Sequence, residues 1–68
     1  MILDGVWKCR NGLFIKVTGT VGINQFGRRI PYNSEDALTL MNIPEWDLME
    51  RISPENKMYS KAMEVLNA

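Results

Sequence analysis

The stretch that decides the fold is Val6-Trp7-Lys8-Cys9-Arg10-Asn11-Gly12-Leu13-Phe14-Ile15-Lys16-Val17-Thr18. It decides the fold because it predicts a β-hairpin. Two runs rich in strand-forming residues flank Asn11-Gly12, the dipeptide most typical of a tight turn between antiparallel strands. The chain around this hairpin has 68 residues, which is the size of one small domain.

Two registers of the hairpin are compatible with the turn. A two-residue turn would pair Cys9 with Phe14 and would mix charged and apolar side chains on both faces. A three-residue loop with Gly12 in the left-handed conformation pairs Cys9 with Leu13, and Trp7 with Ile15. Burial favours this second register, because a one-residue slip moves every side chain to the opposite face. The inner face is then Trp7, Cys9, Leu13, Ile15 and Val17, and the outer face is Lys8, Arg10, Phe14, Lys16 and Thr18.

The following residues extend the hairpin. Gly19 and Gly22 indicate a bulge, a sharp bend or a close backbone approach within residues 19–23. Asn24-Gln25-Phe26-Gly27 predicts a second turn, and residues 28–32 predict a short strand. Pro31 cannot donate a ladder hydrogen bond, so this strand is expected at a sheet edge. Residues 5–32 therefore predict a three-stranded antiparallel meander.

The second half of the chain changes to a helical period. Asn33 or Ser34 is a candidate cap for a helix over residues 34–42, with Ala37, Leu40 and Met41 as its apolar face. Pro44 starts a second segment over residues 44–51, in which Ile43, Trp46 and Met49 recur at a spacing of three. Ser53-Pro54-Glu55 predicts the start of a last helix over residues 54–66. We expect an α+β domain, residues 1–68, in which two or three short helices pack on one face of the meander.

The charge distribution is the most informative feature of the composition. Residues 1–32 carry five basic side chains and one acid, a net charge of +4, and residues 33–68 carry three basic side chains and seven acids, a net charge of −4. Such a split gives a folded domain a dipole that can steer a charged partner. No apolar run is long enough to span a membrane, and the first residues lack the basic segment of a signal peptide. With a single cysteine, this composition predicts a cytoplasmic protein.

The residue types argue against catalysis and against metal or cofactor binding. The chain has no histidine, and Cys9 lies on the predicted inner face without a base beside it. One thiol cannot form a zinc site of the usual kind. Gly19-Thr20-Val21-Gly22 has the spacing of a glycine-rich loop, but no helix opens directly after it, so it does not predict a phosphate site. We therefore expect a protein that is not an enzyme and has no cofactor.

Two binding functions compete on this sequence. The favoured hypothesis is a small adaptor, modulator or inhibitor that docks on another protein through an acidic helical face. Its expected site is Glu45, Trp46, Asp47, Met49 and Glu50. Two roles are open for Trp46, since it can pack on the meander or anchor a partner. Chains of this size are typical of accessory proteins of compact genomes, including viruses.

The alternative is a nucleic-acid-binding protein that uses the basic meander. Basic side chains hold phosphates, and exposed aromatic rings stack on unpaired bases. The candidate residues are Lys8, Arg10, Phe14, Lys16, Phe26, Arg28 and Arg29. Opposed to this, the acidic half repels a polyanion. A third hypothesis is a self-assembling structural subunit, because so small a core gains stability from a homo-oligomer.

Overall fold

The computed structural model describes residues 1–67 and contains five strands and one helix. In chain order they are β1 (Gly5–Cys9), β2 (Phe14–Thr18), β3 (Val21–Asn24), β4 (Arg29–Pro31), a 3₁₀ turn (Pro44–Trp46), β5 (Leu48–Ile52) and α1 (Tyr59–Leu66). The strands form one sheet in the order β4-β3-β2-β1-β5, and every neighbouring pair is antiparallel.

The predicted register of the first hairpin is confirmed. Trp7 pairs with Ile15, and the Cys9 N–H donates to the Leu13 carbonyl at 2.8 Å. Gly12 adopts a φ of 85°, which an L side chain rarely tolerates. The Asn11 side chain accepts a hydrogen bond from the Leu13 N–H at 2.9 Å and fixes the loop. The apolar alternation and the turn residues therefore act together to set the faces of the sheet.

The prediction of a three-stranded meander followed by two or three helices is wrong. Residues 5–32 form four strands rather than three, since the chain reverses at Gly19, where φ is 67°. β3 then pairs with β2 along its whole length. The small α+β domain expected from the sequence is instead a sheet of five antiparallel strands with a single short helix.

The predicted helix over residues 34–42 is absent, and an irregular loop takes its place. The Asn33 side chain accepts from the Glu35 N–H at 2.9 Å, and the Asp36 side chain accepts from the Leu38 N–H at 3.0 Å. In both turns a side-chain oxygen accepts from the backbone N–H two residues later in the chain. Hydrogen bonds of this kind compete with helix formation. Ala37 has a φ of 61°, which ends any helical path at that residue.

The second predicted helix is also largely replaced, and the third is shortened at its start. Only Pro44–Trp46 forms a helical turn in the segment 44–51, and the chain then enters β5. β5 pairs with β1, with Val6 opposite Ile52, so the sheet gains a strand. In the segment 54–66, helix α1 begins only at Tyr59, because residues 53–58 form turns in which Asn56 bonds to Ser53 and Met58.

Two different layers cover the two faces of the sheet. On the inner face, the residues that connect β4 to β5 cross from one sheet edge to the other and bury Tyr32, Ala37 and Trp46 against the strands. On the outer face, α1 packs Ala62 against Val6 and Ile52. The expectation that helices pack on one face is therefore wrong, since the larger core lies under irregular chain. The inner core comprises Leu3, Trp7, Cys9, Ile15, Val17, Ile30, Tyr32, Ala37, Trp46 and Leu48.

Candidate functional site

The structure does not bring the five residues of the expected acidic site together on an exposed surface. Trp46 is 7% exposed and belongs to the inner core, and its carbonyl accepts a hydrogen bond from the Tyr32 hydroxyl at 2.7 Å. Trp46 therefore packs on the sheet, which was one of its two expected roles. Glu45, Met49 and Glu50 are exposed, but Glu45 lies in the 3₁₀ turn and the other two lie in β5, so no acidic helical face exists.

Asp47 is 6% exposed and holds together the loop that covers the inner face. One carboxylate oxygen accepts from the Thr39 N–H at 2.9 Å, and the other lies 3.5 Å from an Arg10 guanidinium nitrogen. Arg10 also donates to the Pro44 carbonyl at 3.2 Å. This is the single ion pair found among residues 1–67, and both partners are committed to holding the loop. Asp47 is thus buried beneath the loop, whereas the Arg10 side chain is 52% exposed at its edge.

The same loop exposes three large apolar side chains. Leu38, Leu40 and Met41 are 42%, 64% and 49% exposed. The backbone beneath them is fixed, since the Leu40 N–H donates to Pro31 at 3.0 Å and the Asn33 N–H donates to Leu38 at 2.9 Å. Sequence reasoning missed these residues as a surface because it placed Leu40 and Met41 on the buried side of a helix.

Backbone conformation around these side chains is unusual. Ala37 and Asn42 have φ values of 61° and 54° and bracket the exposed residues. A left-handed conformation costs a non-glycine residue about 1 kcal/mol or more, and such costs concentrate at functional sites. A shallow depression of about 250 Å³ lies between the loop and the 3₁₀ turn, lined by Leu38, Thr39, Asn42, Pro44 and Asp47. The exposed side chains thus lie on a loop of defined backbone conformation, next to a depression in the surface.

Acidic side chains accompany this apolar group. Glu35 and Asp36 precede it in the loop, Glu45 lies beyond the depression, and all three are exposed. None of them forms an ion pair within residues 1–67. We name this set the acidic loop surface; it consists of Glu35, Asp36, Leu38, Leu40, Met41 and Glu45.

The seven residues of the expected nucleic-acid site are divided by the structure. Arg10 holds the inner loop, Phe14 packs beneath α1, and half-buried Lys8 lies opposite Glu50 in the sheet. Besides Arg10, four residues of the set are exposed: Lys16, Phe26, Arg28 and Arg29. They lie on β2, on β4 and in the turn between β3 and β4.

These exposed residues form a second surface at the uncovered end of the outer face. Lys16, Ile23 and Arg29 are direct neighbours across β2, β3 and β4, and Ile23 is 44% exposed. In the adjacent turn Phe26 is 71% exposed. We name this set the basic sheet surface; it consists of Lys16, Ile23, Phe26, Arg28 and Arg29.

Asn24 makes the turn that carries Phe26 rigid. Its buried side chain accepts from the Phe26 N–H at 2.9 Å and from the Arg28 N–H at 3.0 Å. Its backbone N–H donates to the Arg28 carbonyl, and Gly27 closes the turn with a φ of 79°. An exposed aromatic ring on a fixed turn loses little conformational entropy on binding, which suits a contact residue.

The structure places the one thiol where it cannot act as a surface nucleophile. Cys9 is 2% exposed in the inner core. Burial raises the pKa of the Cys9 thiol to about 12; a contact with Tyr32 opposes the rise and the nearby Asp47 carboxylate adds to it. Within residues 1–67, no three histidine, cysteine, aspartate or glutamate side chains are grouped as metal ligands. The described part of the chain also has no helix long and apolar enough to cross a membrane.

Comparisons with known proteins leave these two surfaces as the basis for any functional conclusion. No protein-family model, curated protein sequence or solved structure matches the chain.

Proposed function

We propose that this protein is a non-enzymatic protein-binding module whose contact site is the acidic loop surface. The observation that carries the proposal is the exposure of Leu38, Leu40 and Met41 on a loop that is held by hydrogen bonds and by two left-handed residues. Apolar side chains that are clustered and exposed in this way typically mark protein contacts. The buried thiol is suited to a reducing compartment, and we place the protein in the cytoplasm.

The chemistry of the surface indicates the chemistry of its partner. Leucine and methionine offer an adaptable apolar centre, and the flanking acids Glu35, Asp36 and Glu45 have no ion-pair partner within residues 1–67. A partner with an apolar patch edged by lysine or arginine would bury the centre and neutralise the rim. Complementary charges at a rim mainly speed association and select the partner.

A double substitution, Leu40→Ser with Met41→Ser, tests the proposal. The tagged chain is immobilised, exposed to nuclease-treated lysate of the source cells, and its retained proteins are identified by mass spectrometry. We expect the variant to lose the proteins retained by the unmodified chain, because the apolar centre of the contact is removed. Retention of the same proteins at the same yield would refute this assignment.

A matched control distinguishes loss of the specific contact site from loss of nonspecific hydrophobic binding. Met49 is 53% exposed, like Met41, but lies on β5 outside the acidic loop surface. The Met49→Ser variant is expected to retain the partner fully. Circular dichroism of all three chains should be the same, since exposed substitutions away from special contacts change stability by about 0.5 kcal/mol or less.

Nucleic-acid binding is the second candidate, and the basic sheet surface is the observation that favours it. Lys16, Arg28 and Arg29 are exposed cations without an ion pair in the described residues, and Phe26 offers one ring for stacking. Three cations give a weak, strongly salt-dependent footprint. Binding of a labelled single-stranded oligonucleotide that disappears in Arg28→Glu/Arg29→Glu would support this candidate.

A further inference from the structure

The two surfaces lie on opposite sides of the sheet. The loop that carries the acidic loop surface covers the inner face, whereas Lys16, Ile23 and Arg29 project from the outer face, on the side that α1 partly covers. The sequence asymmetry of +4 in residues 1–32 and −4 in residues 33–68 is thus kept in part as a separation between the two faces, since Arg10 pairs with Asp47 on the inner side and Lys8 lies opposite Glu50 in the sheet.

The outer face is open because α1 is too short to cover it. Eight residues of helix span roughly 12 Å, while five strands at about 4.8 Å spacing make a sheet roughly 19 Å wide. Helix α1 packs against residues of β1, β2 and β5. On β3, the outward side chains Val21 and Ile23 remain 38% and 44% exposed. The apolar strip is therefore continuous with the cations beside it.

The two surfaces complement each other in charge and in kind. The basic sheet surface combines three exposed cations, Lys16, Arg28 and Arg29, with the exposed apolar residues Ile23 and Phe26. The acidic loop surface combines three exposed carboxylates with Leu38, Leu40 and Met41. None of these six charged groups has an ion-pair partner within residues 1–67. The partner chemistry deduced for the loop is thus present on the chain itself.

We propose that the basic sheet surface of one copy binds the acidic loop surface of a second copy, so that the chain associates head to tail. This inference rests on the proposed function, because it names the occupant of the same loop. The two surfaces differ, so a bound pair retains one free basic sheet surface and one free acidic loop surface, on different copies. Such a contact builds rings or open chains rather than a symmetric pair.

The size of the molecule limits the strength of this contact. The whole surface of the described chain is 4330 Å², and a standard interface buries roughly 800 Å² on each partner. Two such contacts per copy would occupy more than a third of the surface. We therefore expect smaller contacts that are reversible, concentration-dependent and weakened by salt.

Sedimentation velocity and light scattering over a range of concentrations, at low and at high salt, test the proposal. The unmodified chain is expected to gain mass with concentration at low salt and to lose that gain at high salt. Arg28→Glu/Arg29→Glu is expected to raise the Kd of self-association at least about tenfold, because like charges then face each other. Glu35→Lys/Glu45→Lys should do the same from the other side, because neither carboxylate forms a hydrogen bond or an ion pair within residues 1–67.

Combining the two charge reversals gives the decisive control. A chain that carries all four substitutions has both surfaces inverted, so the proposal predicts that it regains self-association. An equimolar mixture of the two single-surface variants should also associate. If the unmodified chain is monomeric throughout, or if the four-fold variant stays monomeric while folded, the proposal is overturned. Lys16→Glu replaces the arginine variant if circular dichroism shows that the latter is unfolded.

Two further outcomes distinguish this proposal from the alternatives. A monomeric chain that still captures another protein through Leu40 and Met41 overturns the second-copy occupant but leaves the proposed function intact. A monomeric chain that binds an oligothymidine probe through Arg28 and Arg29 assigns the basic sheet surface to nucleic acid and also overturns it. Self-association that disappears in Leu40→Ser/Met41→Ser but not in Met49→Ser supports both proposals together.

Discussion

The inner and outer faces of this sheet are covered in two different ways. Helix α1 covers part of the outer face and satisfies its own backbone, and it packs there through a cluster of apolar side chains that includes Ala62 and Phe14. The irregular loop on the inner face needs polar groups at its base: Asp47 accepts from Thr39, and the Tyr32 hydroxyl donates to Trp46. No buried side-chain nitrogen or oxygen in residues 1–67 lacks a hydrogen-bond partner.

This difference has a functional consequence. A loop anchored by buried polar contacts can adopt left-handed residues and can hold apolar side chains outward, as at Leu40 and Met41. A short helix instead covers only part of a sheet face and leaves side chains such as Ile23 exposed. Both candidate surfaces therefore result from the way in which each face is covered.

Removal of Trp46 is expected to have the largest effect. Truncation of a buried tryptophan costs about 3–5 kcal/mol, and a core this small supplies only a few kcal/mol of net stability. Trp46→Ala should therefore be largely unfolded at 25 °C by far-ultraviolet circular dichroism. Phe14→Ala, which removes a half-buried ring from the outer face, should lose roughly half as much and stay folded. Equal losses would contradict the greater weight given to the inner core.

Gly22→Ala tests how closely the inner face is packed. A Cβ at residue 22 would lie 2.7 Å from Ile15 Cδ1 and 2.9 Å from Tyr32 Cε2. Overpacking of this kind costs about 1–3 kcal/mol, and urea titration should show a lower midpoint. The control is Val21→Ala, which alters the adjacent, partly exposed side chain of the outer face and should move the midpoint little. An unchanged midpoint in Gly22→Ala would show that the inner face has room to adjust.

Alkaline pH should destabilise the fold through the inner face. Burial raises the pKa of Cys9 from 9.0 to about 12, and it also raises the pKa of Tyr32 above its ordinary 10.0. Above pH 9 the unfolded chain releases the thiol proton while the folded chain keeps it. Stability from this group is therefore complete below pH 9 and falls toward pH 12, by about 1.4 kcal/mol per pH unit.

Urea titrations at several pH values between 7 and 11 measure this decline. Cys9→Ala should delay its onset to about pH 10, where the contribution of Tyr32 begins. Iodoacetamide should label Cys9 in the native chain far more slowly than in urea, because the thiol is 2% exposed. A decline that starts at the same pH in the variant would remove Cys9 as its cause.

Local signals in the sequence were sufficient for the first hairpin. Asn11-Gly12 and the alternation on both sides of it specify the turn and the faces, and the structure confirms that register. They were insufficient for β5, because its pairing with β1 joins residues far apart in the chain. Pro44 and the spacing of Trp46 and Met49 fit a short helix equally well, so tertiary pairing decided the outcome.

The candidate surfaces were only partly predictable for related reasons. Lys16, Phe26, Arg28 and Arg29 were identified from charge and turn position, and all four are exposed. The loop was missed, because Asn33 and Asp36 can cap a helix or close a turn with equal ease. The positive φ of Ala37 has no local sequence signal, since glycine or asparagine would be the expected residue there.

The interior position of β1 in the sheet, between β2 and β5, also affects how the chain acquires its structure during synthesis. β1 is made before its second neighbour, β5, which comes from residues 48–52. Until those residues are present, one edge of β1 and the apolar faces of Trp7 and Cys9 lack their native cover. Pairings between distant residues slow folding, and an unpaired strand edge is prone to aggregation. The first hairpin, which the local sequence specifies most strongly, therefore keeps an unpaired strand edge until β5 has been made.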